Sequence, residues 1–316
     1  EPGVYYCRDA FEGLDVMEVL TDDTRRDGFI EKRHTEARLV RDREATAEAE
    51  SVAAPQTAVR SNVRQDVTPP TPPFWGYTML DSRHIPIDEV FECLDLKSLF
   101  RLSWGAHKLH GAEYERVVAS DLMPRLRRMQ SELRGKQILT PRVIYGYFPC
   151  QSEGNELLVY DGPAVEDQGS VNGSRPPAPK IRFNFPRQPD RERLCLADYY
   201  ASVTSGKMDV VPLQVVTMGD RASEVFERMQ KSGDYSEGYY IYGLSVALAE
   251  ALAEWTHRRI SRELGLPPGQ GRRYSWGYPA CPDPSEQTKL LQVLPSEKIG
   301  VTLTEGSVLV PEQSTA

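Results

Sequence analysis

An α+β fold, with a largely antiparallel twisted sheet and flanking helices, is what the amino-acid order predicts for most of this chain. Three observations carry that expectation. Apolar residues recur at helical spacing over residues 88–100, 111–136 and about 235–264. β-prone runs at 142–149, 156–160, 177–185 and 209–218 fall among them without strict strand–helix alternation. Gly154-Asn155, between the first two of those runs, is a hairpin signal, and hairpins belong to antiparallel sheets.

Taken in order, residues 3–7 (Gly3, Val4, Tyr5, Tyr6, Cys7) form a short β-prone run. An acidic, helix-favouring stretch follows to Arg43, with apolar Leu14, Met17, Val19 and Leu20. That is one strand and its helices without the sheet they belong to, a remnant over residues 1–45. Over 46–73 aromatics vanish and Ala, Glu, Gln, Thr and Ser dominate, ending in Pro69-Pro70-Thr71-Pro72-Pro73. Such a composition reads as an exposed, mobile linker with a stiff polyproline end. Residues 74–316 have the composition of a folded domain. Val90, Phe91, Leu94, Leu96, Leu99 and Phe100 mark its first helix, and Val117, Val118, Leu122, Leu126, Met129 and Leu133 its second. Val143, Tyr145 and Tyr147 alternate onto one strand face, and Leu244, Leu248, Leu252 and Trp255 stripe the long helix.

With 316 residues, 40% of them hydrophobic and 27% charged, the chain can bury a substantial core. Its mean hydropathy is −0.49 and no run reaches the length of a membrane span. Lys plus Arg number 38 against 46 for Asp plus Glu, and the net charge of −8 disfavours nonspecific binding to nucleic acid. Cys7, Cys93, Cys150, Cys195 and Cys281 are scattered, odd in number and without zinc-site spacing, which points to a reducing cytoplasm and no structural metal. The opening Glu1-Pro2-Gly3-Val4-Tyr5 has no signal-peptide pattern and reads as a cut inside a longer protein. GxSxG, Walker, HExxH and GxGxxG motifs are absent.

Three constellations are candidates for chemistry. Residues 272–282 combine Arg272 and Arg273 with Tyr274, Trp276 and Tyr278, two prolines and Gly277. That is a stiff loop whose arginine fork suits a carboxylate or phosphate, although from composition alone an aromatic-rich surface loop packed on the sheet is the default reading. Glu250, Glu254 and His257 share a face of the long helix, by default a solvated one, though Glu250 in a cleft would suit a ligand cation. A single Glu-x-x-His pair, Glu254 and His257, falls short of the two that a diiron site needs. Asp95 sits in an apolar run, where a helix cap or a pairing with Lys97 or Arg101 explains an acid most simply. His34, His84, His107 and His110 read as surface or capping residues.

The segment Arg273-Tyr274-Ser275-Trp276-Gly277-Tyr278-Pro279-Ala280-Cys281-Pro282 resembles the RxxxGYPACP motif of the activation domain of cobalamin-dependent methionine synthase. Residues 95–100 with Trp104, residues 248–257, and residues 299–305 with Pro311 agree with that family in order and spacing. The resemblance covers 74–316. Residues 3–34, with Asp9-Ala10 and Leu20-Thr21-Asp22, are similar to the last strand and helix of the family's cobalamin-binding domain.

The resemblance implies a reactivation module. In that family the domain binds S-adenosylmethionine and clamps over cobalamin once it has been oxidised to cob(II)alamin. A flavodoxin-type partner supplies one electron, and the sulfonium methyl traps the reduced cofactor as methylcobalamin. Carried over, the ligand-binding residues fall on Asp95, Glu250, Arg273, Ser275, Gly277 and Tyr278, with Ala10 as a cobalamin contact and no residue acting as a catalytic group. Ser275 stands where some relatives have Ala, and the chain reaches Ala316 before the terminal strand on which some relatives place a ligand-contacting tyrosine. The early segment lacks Asp-x-His-x-x-Gly, so cobalamin would be held mainly by other parts of a full protein, and this chain alone is not expected to make methionine. A non-catalytic module that docks flavodoxin or the cobalamin-binding domain is the competing reading.

Overall fold

The computed structural model describes residues 5, 7, 10–53, 60–63, 67–161, 178–189 and 192–316, with the backbone alone for 10–11 and 40–53. Two helices open it, α1 (Ala10–Thr21) and α2 (Arg26–Ala53). The β-run expected at 3–7 lies mostly outside the described residues, and Tyr5 and Cys7 are in no strand. The expected exposed linker differs from the structure in two places. Helix α2 runs on to Ala53, as its Ala and Glu content favours, and Ser61 is buried. Phe74 then packs edge-on against Tyr147, with ring centroids 5.1 Å apart, and ties the following chain to the sheet.

The sheet is antiparallel throughout. Its strands are β1 (Gly76–Leu80), β2 (Arg142–Glu153), β3 (Glu156–Val159), β4 (Ile181–Asn184), β5 (Asp209–Thr217) and β8 (Ser314–Thr315), in the order β4-β3-β2-β5-β8 with β1 also on β2. Glu153 pairs with Glu156 around Gly154, whose φ of +60° is the left-handed conformation that the two-residue turn requires. Pro212 is tolerated in β5 because β8 pairs only with Val216 and Thr217, so an N–H is not needed there on both sides. A separate small ribbon joins β6 (Thr302–Leu303) to β7 (Leu309–Val310).

Alternation along β2 feeds two cores, one on each sheet face. Val143, Tyr145 and Tyr147, with Val210 and Val216 of β5, pack with the helices. Ile144, Phe148 and Cys150, with Val211 and Val215, pack with the C-terminal segment, including Cys281, Leu290 and Leu294. Among the helices, α3 (Ile87–Glu92) is followed by a single turn, α4 (Leu96–Ser98), and a π turn at Leu99–Ser103. The single helix expected over 88–100 is therefore divided, because α3 stops at its C-cap Cys93 and the extended Asp95, with its side chain as N-cap, starts the next turn.

The expected 111–136 helix runs from Gly111 to Gly135, with a π-bulge at Val118–Leu122 between α5 (Gly111–Val117) and α6 (Met123–Gly135). Pro124 at the start of α6 cannot continue the hydrogen-bond ladder. Leu122, Leu126, Met129 and Leu133 still form one buried stripe. Next come α7 (Arg221–Ser232), closed by Gly233 at φ +90°, and α8 (Tyr235–Glu263), followed after the loop by α9 (Gln287–Val293). Helix α8 is buried along Leu244, Leu248 and Leu252 and by its alanines Ala249, Ala251 and Ala253, so it is the central helix of the first core.

Candidate functional site

The loop after α8 is held in place by its own aromatic anchor. Trp276 stacks on Phe185, with centroids 5.6 Å apart and rings inclined by 7°, and lies 5.1 Å from Phe183. Beyond it the chain turns tightly: Gly277 N–H donates to the Cys281 carbonyl and Cys281 N–H to the Tyr278 carbonyl, each at 2.9 Å. The Cys281 thiol donates to the Ser275 carbonyl at 3.0 Å. At Gly277 open space surrounds the missing Cβ, so the φ of +94°, and not crowding, demands glycine. With Trp276 turned inward, Tyr274 and Tyr278 are left exposed beside the turn. The loop is thus packed on the sheet through one aromatic and open to solvent through two.

Arg273 lies between this loop and α8. Its Nη2 donates to Glu250 Oε2 at 2.6 Å and its Nη1 to Ser275 Oγ at 2.7 Å. Ser275 Oγ in turn lies 3.3 Å from Thr315 Oγ1 of β8. The guanidinium is largely enclosed, with 20% of its side chain exposed, and Nε is buried without a partner among the described residues. The helix face read as solvated is divided in the structure: Glu254 pairs with Arg258 on the surface, whereas Glu250 turns to Arg273. His257, one turn beyond Glu254, has its pKa lowered by burial; Glu254 acts against that shift, and Arg273 and Arg258 add to it.

Asp95 is exposed and committed to its own cap. Oδ1 accepts from the backbone of Lys97 and Ser98, and Oδ2 accepts the Ser98 hydroxyl at 2.6 Å. The Ser98 hydroxyl, followed by the backbone donors, holds this carboxyl below the usual range. The neighbouring segments pack on α8 at both ends, since Trp255 Nε1 donates to Glu89 and Trp104 Nε1 to the Tyr240 carbonyl. The connection carrying Asp95 thus follows the stretch of α8 that includes Glu250.

Of the sequence-derived site residues, Glu250, Arg273 and Ser275 are joined by direct bonds. Gly277 and Tyr278 form the adjoining turn, and Asp95 stands apart on its cap. Ala10 begins α1, and its side chain lies outside the described residues. Thr315 reaches Ser275 only because β8 pairs with β5, a pairing that no local sequence pattern announces. Among the described residues no group of His, Cys, Asp and Glu could hold a metal ion, and no helix is long and apolar enough to cross a membrane. A groove of about 600 Å³ lies elsewhere, against Arg60, Tyr200 and Lys207, and one of about 450 Å³ separates α1 from Arg101 and His107.

A paired cation and anion is the mirror image of an α-amino-acid zwitterion. The guanidinium offers a two-pronged carboxylate site and Glu250 an acceptor for an ammonium group.

A family model described as the vitamin B12 dependent methionine synthase activation domain matches residues 86–316. Methionine synthase of Mycobacterium tuberculosis (strain ATCC 25618 / H37Rv) is 35% identical over 353 aligned residues, spanning 99% of this chain and 28% of that protein. The methionine synthase of Mycobacterium leprae (strain TN) is 32% identical over 361, spanning 100% of this chain and 29% of that protein. This chain therefore spans less than a third of the length of those relatives. A solved structure described as the MetH reactivation domain bound to AdoHcy shares the fold, with a TM-score of 0.67 and 22% identity over 83% of this chain and 84% of that one.

Proposed function

Because this chain belongs to the vitamin B12 dependent methionine synthase activation-domain family, we propose that it is the reactivation module of a methionine synthase and binds S-adenosylmethionine. The observation that carries the reading is the Arg273–Glu250–Ser275 cluster, formed where the family's motif loop meets α8. An α-carboxylate suits the Arg273 fork, whose terminal nitrogens each keep a second N–H beyond the bonds to Ser275 and Glu250, and an α-ammonium suits Glu250. Asp95, Gly277 and Tyr278 complete the proposed ligand surface, with the turn at Gly277 giving close backbone approach.

In the proposed role, the cofactor is cobalamin, held mainly by other parts of a longer protein, and its chemistry is reductive methylation of the cob(II) form to methylcobalamin. This chain's part is to bind and orient the sulfonium donor. Residues 1–45 are read as the end of the cobalamin-binding domain, 46–73 as its connection, and 74–316 as the activation domain. The partners are that cobalamin-binding domain and a flavodoxin-type electron donor, in the cytoplasm. By itself the chain neither retains cobalamin nor makes methionine.

Calorimetric titration of the 316-residue chain with S-adenosylmethionine, and with S-adenosylhomocysteine alongside, tests the reading. Saturable one-site binding of both supports it. A folded chain that binds neither overturns the reading and leaves the docking module for flavodoxin or the cobalamin-binding domain as its alternative.

A further inference from the structure

We propose that Thr315 is a positioning residue for the ligand carboxylate, acting through Ser275 on Arg273; this rests on the S-adenosylmethionine reading. Arg273, Ser275 and Thr315 form a chain of contacts. A guanidinium has donors only, so at the 2.7 Å contact Ser275 Oγ accepts from Arg273 Nη1. The serine's own proton is then left for another acceptor. Thr315 Oγ1 is 3.3 Å away, and both residues are buried, 7% and 8% exposed. Either hydroxyl can donate in this contact, and whichever does, the threonine oxygen bears on how the Ser275 oxygen faces the arginine.

Thr315 owes nothing to the motif loop for its own position. It pairs with Val216 in the sheet, and the preceding Ser314 hydroxyl donates to Thr217 Oγ1 at 2.9 Å. The Gln313 carbonyl accepts from Met218 N–H at 2.8 Å, and its side chain bonds Ser223 at the start of α7. Arg273 is therefore held from two independent elements, Glu250 of α8 at one nitrogen and the β8 strand through Ser275 at the other. Held at a single point the guanidinium swivels; held at two, its plane is fixed before a ligand arrives, and less ordering is left for binding to supply.

A positioning role is separable from a purely structural one by the ligand's own chemistry. Thr315→Val and Thr315→Ser are made in the 316-residue chain, with Thr315→Ala as a second hydroxyl-free variant should valine disturb folding. Each is titrated with S-adenosylmethionine and with its decarboxylated analogue, which lacks the group Arg273 would hold. The expected result for Thr315→Val or Thr315→Ala is roughly fivefold weaker binding of S-adenosylmethionine, with the decarboxylated analogue within about twofold of wild type and serine restoring the difference. Equal losses for the two ligands, no loss for either, or failure of serine to restore would overturn the assignment. A wild-type chain that binds neither ligand overturns the underlying S-adenosylmethionine reading instead.

Discussion

Ser61 gives both its backbone N–H, at 2.8 Å, and its hydroxyl, at 2.5 Å, to one carboxylate oxygen of Asp198, 137 positions further along the chain. Arg187 binds both oxygens of the same carboxylate, and Arg60 donates to the carbonyls of Asp198 and Tyr200. Asp198 is 1% exposed, so this is a buried carboxylate between two guanidinium groups, satisfied on each oxygen. A stretch whose composition reads as free linker is thus fastened to the domain body at Arg60 and Ser61.

That fastening predicts slow exchange of the Ser61 amide. Hydrogen exchange read by mass spectrometry on the peptide spanning Ser61 should show protection in the wild-type chain. Arg60→Ala should lower it by roughly tenfold or more while β2 amides keep theirs. A Ser61 amide that exchanges in wild type at the rate of an unstructured peptide would rule the clasp out.

The same carboxylate predicts a pH dependence. Burial alone raises the Asp198 pKa, but the hydrogen bonds from Arg187 and Ser61 outweigh it, and the net value lies below 3.8. A carboxyl depressed by folding contributes stability that is whole above its unfolded pKa and declines as pH falls through the folded one. The stability difference between wild type and Asp198→Asn should therefore be constant above about pH 4 and shrink below it. Denaturant midpoints of both proteins across that range give the comparison, and a gap that widens on acidification contradicts the assignment.

At the proposed ligand site, Arg273→Ala should weaken S-adenosylmethionine binding by at least roughly thirtyfold, since losing the guanidinium from a desolvated contact with the ligand carboxylate costs about 2 to 5 kcal/mol. Arg273→Lys should recover only part, because an ammonium cannot reproduce the fork that spans Glu250 and Ser275. Arg272, next in sequence but exposed, is the control, and Arg272→Ala should stay within a few-fold of wild type. The reverse pattern would shift every residue of this loop by one position.

Two substitutions at Asp95 separate its cap from any role toward the ligand. Asn caps helices as well as Asp does, so Asp95→Asn should leave the melting temperature nearly unchanged, whereas Asp95→Ala should cost about 1 kcal/mol. If the charge also serves the ligand, both variants should weaken binding. Asparagine that binds like wild type would confine Asp95 to its cap.

Much of this arrangement is local and so was legible in the residue order. Apolar spacing located α6 and α8, Gly154 marked the β2–β3 turn, and the loop from Arg273 to Pro282 carried its family pattern in consecutive residues. Helical period, turn conformation and motif each depend on neighbours within a few positions, and the chain states those directly. The division of the 88–100 helix is also local. It rests on Asp95 preferring to cap the next turn, a competition between two short-range bonds that apolar spacing does not rank.

What tertiary structure alone decided are pairings across the chain. Glu250 meets Arg273 because α8 and the loop beyond it are brought face to face. Ser275 meets Thr315 because β8 adds to β5, and Ser61 meets Asp198 across 137 positions. Composition marked Ser61 as linker because a polar segment has no apolar surface to bury. A buried carboxylate that accepts several hydrogen bonds supplies a different reason for burial, and that reason exists only once the fold has placed Asp198 in reach.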